Sequence, residues 1–127
     1  MALTNAGANI LAVAATGGTY TPFNNGNAFL GVGDNSAPFV NTQTDLQASS
    51  NKTYVGMDVG FPTVTSGNVM TFEATFGPTL ANYTWNDWGL FNAASGGVMF
   101  NRKVNSLGTK INTQTWILLV AITINNP

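Results

Sequence analysis

The sequence predicts a mainly-β protein, an antiparallel β-sandwich or partly open barrel with one short N-terminal helix. Three observations lead there. Only one segment, residues 4–15, places apolar residues at helical spacing. From residue 27 onward, short apolar runs are broken at close intervals by glycine, proline and asparagine turns, which gives six strands. One of those runs, residues 69–76, alternates apolar and polar side chains, the mark of a half-buried antiparallel strand. At 127 residues the chain reads as one domain, residues 1–127, able to bury a core without disulfides or metal.

Each element has its own reason. Thr4 stands as helix N-cap, its hydroxyl accepting from a backbone N–H that the helix leaves unpaired. Ala6, Ile10, Leu11 and Ala14 form a narrow apolar stripe, and Gly17-Gly18 ends the helix because glycine enters the left-handed conformation freely. So short a helix is marginal alone and must dock on the sheet. Ala28, Leu30 and Val32 share one face of the first strand; Val55, Met57, Val59 and Phe61 alternate in the second, which Pro62 closes. Residues 35–51 carry no period and read as a long loop, with one helical turn near 44–48 and Val40 and Leu46 as anchors. Ser66-Gly67-Asn68 turns the chain into the 69–76 strand, where Met70, Phe72, Ala74 and Phe76 face inward. Residues 85–91 and 98–104 form a hairpin around Ser95-Gly96-Gly97. The last strand, 115–124, is apolar on both faces through Ile122, which predicts a central position covered on both sides.

Composition narrows the chemistry. Only four basic and five acidic residues are present, with no histidine and no cysteine, while asparagine and threonine each occur 17 times. A charged fraction of 7% lies far below the roughly 25% of ordinary domains. Amides and hydroxyls meet a partner without the cost of burying ions. Ser-His and Cys-His nucleophiles are excluded, and Lys52, Lys103 and Lys110 stand in no recognisable motif. The acids Asp34, Asp45, Asp58, Glu73 and Asp87 read as solvated surface groups. Asp58 and Glu73 are the pair that a two-carboxylate hydrolase would use, across neighbouring strands, but alternation sends both outward.

Gly31-Val32-Gly33 lacks the third glycine and the following helix of a dinucleotide loop. Asp34-Asn35-Ser36 lacks the later glutamate of a calcium loop and reads as an Asx turn. No catalytic residue, cofactor or metal ligand is therefore expected. A net charge of −1, with Arg102-Lys103 as the one adjacent basic pair, gives no reason to bind nucleic acid. The longest apolar run, residues 116–122, falls far short of the roughly 20 residues of a membrane helix, and no signal peptide is expected at the N-terminus. Near-zero charge favours self-association.

Alternation sends Tyr83, Trp85 and Phe91 to one face of their strand and Trp88 with Leu90 to the other. Trp88 and Leu90 read as core, which leaves Tyr83, Trp85 and Phe91 as candidate interface residues. The alternative is a carbohydrate-binding module that stacks sugars on Tyr83, Trp85 or Trp88.

The stretch Trp85-Asn86-Asp87-Trp88-Gly89-Leu90-Phe91, followed by Ser95-Gly96-Gly97-Val98-Met99, resembles a pattern in the tail-collar fibre family of tailed bacteriophages. Leu3-Thr4-Asn5-Ala6-Gly7, Leu30-Gly31-Val32-Gly33-Asp34 and Gln43-Thr44-Asp45-Leu46 stand in matching order, with the 115–124 strand last. The resemblance implies a non-enzymatic virion protein, made in the host bacterial cytoplasm and bound to other virion subunits. Because the chain carries no fibre shaft or receptor-binding tip, two roles are expected: a docking module of the tail or baseplate, or a capsid decoration (cement) protein on the major capsid protein. It further implies a homo-oligomer, a trimer by analogy with phage fibres. The family brings no catalytic or ligand residues to carry over.

Overall fold

The computed structural model describes residues 2–125. One helix, α1 (Asn5–Ala15), precedes seven strands: β1 (Phe29–Gly33), β2 (Lys52–Gly56), β3 (Thr63–Thr65), β4 (Val69–Phe76), β5 (Thr84–Phe91), β6 (Met99–Thr109) and β7 (Trp116–Thr123). Two antiparallel sheets, ordered β2-β1-β5-β6 and β3-β4-β7, face each other as a sandwich. The first will be called sheet A and the second sheet B.

The helix ends follow the sequence. Thr4 Oγ1 accepts from Gly7 N at 2.9 Å, while the Thr4 hydroxyl donates to the Met99 carbonyl of β6. Gly17 has φ +78°, and Gly18 N reaches back to Val13 O at 2.8 Å, closing a glycine cap. The buried face is not the expected stripe, for Gly7 and Ile10 are buried whereas Leu11 and Ala14 are exposed. Gly7 explains the difference: a Cβ there would lie 2.2 Å from Phe100 O, so the helix meets the β6 backbone at its smallest residue.

Between the sheets lies the main core, built on Leu30 and Val32 of β1, Phe72, Ala74 and Phe76 of β4, Trp85, Trp88 and Leu90 of β5, and Leu118, Val120 and Ile122 of β7. A second, smaller cluster of Leu46, Phe91 and Met99, with Phe29 and Tyr54, lies apart from it. It brings together Leu46 of the patternless loop and the β5 and β6 side chains that point away from the main core. The loop thus covers the outer face of sheet A. Leu46 is an anchor as expected; Val40 is half exposed, and no helical turn forms at 44–48.

Three strand expectations are corrected. The second strand begins at Lys52 and ends at Gly56, and Val59, 98% exposed, sits in a turn closed by Phe61 N to Asp58 O at 3.1 Å. A seventh strand, β3, lies just before the expected Ser66-Gly67-Asn68 turn, in residues to which no element was assigned, paired to β4 through Thr63↔Thr71 and Thr65↔Val69. Most consequentially, β7 is not central. It lies at the edge of sheet B, with one face in the core and Ile117 and Leu119 on the other, 60% and 57% exposed.

Candidate interaction surface

Two of the sequence blocks quoted above, Leu30–Asp34 and Trp85–Phe91, are neighbours in space. Strands β1 and β5 pair in the middle of sheet A with Gly31 opposite Gly89 and Gly33 opposite Asp87. Their glycines answer to packing. A Cβ on Gly31 would press to 2.9 Å from the Phe91 and Tyr54 rings, and one on Gly33 would come within 2.6 Å of Asp87 Oδ1. The glycine run thus makes room for rings and a carboxylate of the protein itself.

Asp87 is not a surface acid. Its side chain and that of Arg102 are fully buried, joined by Arg102 Nε to Asp87 Oδ2 at 2.7 Å. Burial raises the Asp87 carboxyl above its usual range, partly offset by the guanidinium. The rest of the guanidinium holds the covering loop: Nη1 donates to Ala37 O at 2.9 Å and Gln43 Oε1 at 3.2 Å, and Nη2 to Asn35 O at 3.2 Å. Asn35 makes the expected Asx turn, its Oδ1 accepting from Ala37 N at 2.8 Å. Lys110 is buried too, donating to Gly77 O at 2.7 Å and Asn82 Oδ1 at 2.8 Å, and so pins the β4–β5 connection. These charged groups tie loops to the sandwich.

The rings expected at an interface lie elsewhere. Trp85 and Phe91 are buried, and the Trp85 indole N–H donates to Ala81 O at 2.9 Å. Tyr83 is half-buried; its hydroxyl donates to Val32 O at 2.9 Å and pairs with Thr53 Oγ1 at 2.8 Å. Burial, with the charges of Asp34 and Asp87, pushes the Tyr83 phenol up to about 12. Trp88 is core, as expected. Of the three rings named for sugar stacking, Trp85 and Trp88 are buried and Tyr83 is half-buried. A shift in the β5–β6 register between Trp85 and Asp87 is the cause, because it resets the alternation so that Trp85 and Trp88 both point inward.

The remaining acids sit nearer the surface, where Asp34 Oδ2 accepts from Asn51 Nδ2 at 2.7 Å. Asp45 accepts from Lys52 Nζ at 2.9 Å and from the Tyr54 hydroxyl, beside a cleft of about 470 Å³ between the covering loop and the Ser95-Gly96-Gly97 turn. Against the burial that would raise it, these hydrogen bonds hold the Asp45 carboxyl below its usual range, while burial and Asp45 raise Tyr54 well above its own. Asp58 and Glu73 do come together on the outer face of sheet B, where Asp58 N donates to Glu73 O and Thr75 Oγ1 to Asp58 Oδ2. Loss of solvent and the neighbouring Asp58 raise the Glu73 carboxyl. Neither carboxylate lines a cleft described here, as a glycosidase-type pair would. Among the described residues no three His, Cys, Asp or Glu side chains gather as metal ligands.

Two apolar features remain open to a partner. Beneath α1, a groove of about 450 Å³ runs between the sheets, lined by Leu11, Tyr20, Phe23, Val64, Met70 and Phe100 among others. On the other flank, β7 presents Ile117 and Leu119, with Ile124 exposed just past its end. Sequence reasoning placed β7 inside and so missed both residues; the signal was its second apolar face. Compared with protein-family models, with curated proteins and with solved structures, the chain gives no match.

Proposed function

We infer that this chain is a non-enzymatic structural component of a tailed-phage virion. It is a small docking module of the tail or baseplate-fibre type, or a capsid decoration protein, bound to other virion subunits and synthesised in the host cytoplasm. The observation that carries the reading is the use made of the charged groups: the buried Asp87–Arg102 pair and Lys110 hold loops, and Asp45 is occupied by Lys52 and Tyr54. Few charges are left for a partner, Asp34, Asp58, Glu73 and Lys103 among them, and most of what it would meet is amides, hydroxyls and the apolar side chains of β7 and of the groove under α1. Such contacts tolerate salt, since screening acts on exposed charges. Two blocks behind the resemblance, residues 30–34 and 85–91, support the reading as well, because they fold side by side at the centre of sheet A as one structural unit.

The two locations are separated by immunogold labelling of intact particles. Label over the head assigns decoration, label at the baseplate or fibres assigns the tail, and particles without label refute both.

A further inference from the structure

A β-sandwich with two open sheets has four edge strands, here β2 and β6 of sheet A and β3 and β7 of sheet B. An unpaired edge offers a row of backbone donors and acceptors to any other strand, and proteins block such edges with short strands, charges, prolines, bulges or covering segments. Three of these edges are blocked in that way. Strand β2 is five residues long and carries the Lys52–Asp45 ion pair. Strand β3 is three residues long and follows Pro62. The first half of β6 is covered by the N-terminal segment, through the Leu3↔Asn101 bridge and Thr4 N to Phe100 O at 3.1 Å. Beyond that bridge, β6 bears Lys103 and the register shift opposite Asn86.

Strand β7 carries none of these devices. It is eight residues long, its register with β4 runs unbroken from Trp116 to Thr123, and residues 111–125 contain neither a charged residue nor a proline. Among the described residues its outer edge has no strand neighbour. Its solvent face is apolar at Ile117 and Leu119.

We propose that β7 pairs antiparallel with β7 of a second copy of this chain, joining the two B sheets into one six-stranded sheet ordered β3-β4-β7-β7-β4-β3. The charge pattern selects this occupant. In a two-fold antiparallel contact residue i meets residue j and j meets i, so a charge close to the axis would face the same charge on the other copy. The neutral run 111–125 removes that penalty, and a net charge of −1 leaves little repulsion between the copies. The scale fits as well. A stable contact needs about 800 Å² per partner, roughly an eighth of the 6592 Å² surface. Strand β7, with Ile117, Leu119 and Ile124 exposed along it and at its end, supplies the apolar side chains on which to build it. The symmetry is two-fold, in place of the trimer that phage fibres would suggest.

Light scattering on the purified chain tests this. At high micromolar concentration the mass should be twice the 13.3 kDa of the chain, and molar salt should leave it unchanged. Leu119→Lys should raise the dimer dissociation constant about a hundredfold by setting like charges side by side. The fold should survive it, since position 119 is exposed and lies opposite Glu73 on β4. Ile117→Lys serves the same purpose should Leu119→Lys not fold, and Val40→Lys, exposed on the loop that covers the opposite sheet, should leave the dimer intact. Hydrogen exchange adds a local reading: the outward amides of β7 exchange slowly in the dimer and fast in Leu119→Lys, with β4 unchanged. A monomer, a trimer, or a dimer that persists in both lysine variants would overturn the proposal. The pairing does not depend on where the chain resides, so its failure would leave the virion reading standing.

Discussion

Replacing Arg102 with methionine removes the partner of a carboxylate that has no access to water. The Asp87 and Arg102 side chains are both fully buried and 2.7 Å apart, so Arg102→Met strands Asp87 inside the protein. Breaking a buried pair from one side costs about 3–5 kcal/mol, a large share of the roughly 5–15 kcal/mol that holds a domain together. The carbonyls of Asn35 and Ala37 also lose their donors, but both residues lie near the surface, where water replaces the guanidinium at small cost. The deficit therefore belongs mainly to the carboxylate. With a urea slope near 2 kcal/mol/M, the unfolding midpoint should fall by about 1.5–2.5 M.

The sign of the pH dependence follows. Burial already raises the Asp87 carboxyl, and losing the guanidinium raises it further. A carboxyl whose folded value exceeds its unfolded one gains stability as pH falls through the folded value. The gap between variant and wild type should therefore narrow from pH 7 to pH 5. The double variant Asp87→Leu/Arg102→Met, which replaces the pair by apolar groups, should recover to within about 1 kcal/mol of wild type. A midpoint shift in Arg102→Met below about 0.5 M, or one that does not change with pH, would refute the reasoning.

Other outcomes follow from the same coordinates. Gly7→Ala gains up to about 1 kcal/mol of helix propensity, yet its Cβ would meet the Phe100 backbone at 2.2 Å; the clash should win, lowering stability by about 1–3 kcal/mol in a thermal melt. Ser66 has φ +54° in the turn before β4, and Ser66→Asn, which tolerates that conformation, should raise stability by about 0.5–1 kcal/mol in urea unfolding. The Tyr83 phenol is raised to about 12, so the folded state keeps its proton when the unfolded chain loses it near 10; stability should fall between those values, and less steeply in Tyr83→Phe.

Where one face of a strand met water and the other met the core, the alternation in the sequence described the structure. Strand β4 shows this, with Phe72, Ala74 and Phe76 buried and Thr71, Glu73 and Thr75 half exposed, as do Thr4 at the helix start and the Gly17-Gly18 stop. Alternation failed where that premise failed. Residues 35–51 have no period of their own, yet they cover the outer face of sheet A, so Asp87, Phe91 and Arg102 are buried on a side that the pattern assigned to solvent. Nothing local to Asp87 announces its partner 15 positions away. The shift near Asn86 turned Trp85 inward for a similar reason, since a change of register leaves no mark in the hydrophobic pattern. Strand β7 failed in the opposite sense. Its two apolar faces ask for cover on both sides, and the single chain supplies only one.

The measurement closest to the central claim is quantitative mass spectrometry of gradient-purified phage particles from cells that express this chain. A structural subunit should be present in copy numbers comparable to other tail or capsid proteins, and should stay with the particles through a molar-salt wash. Peptides found only in the soluble fraction of the lysate, with none on the particles, would contradict the account.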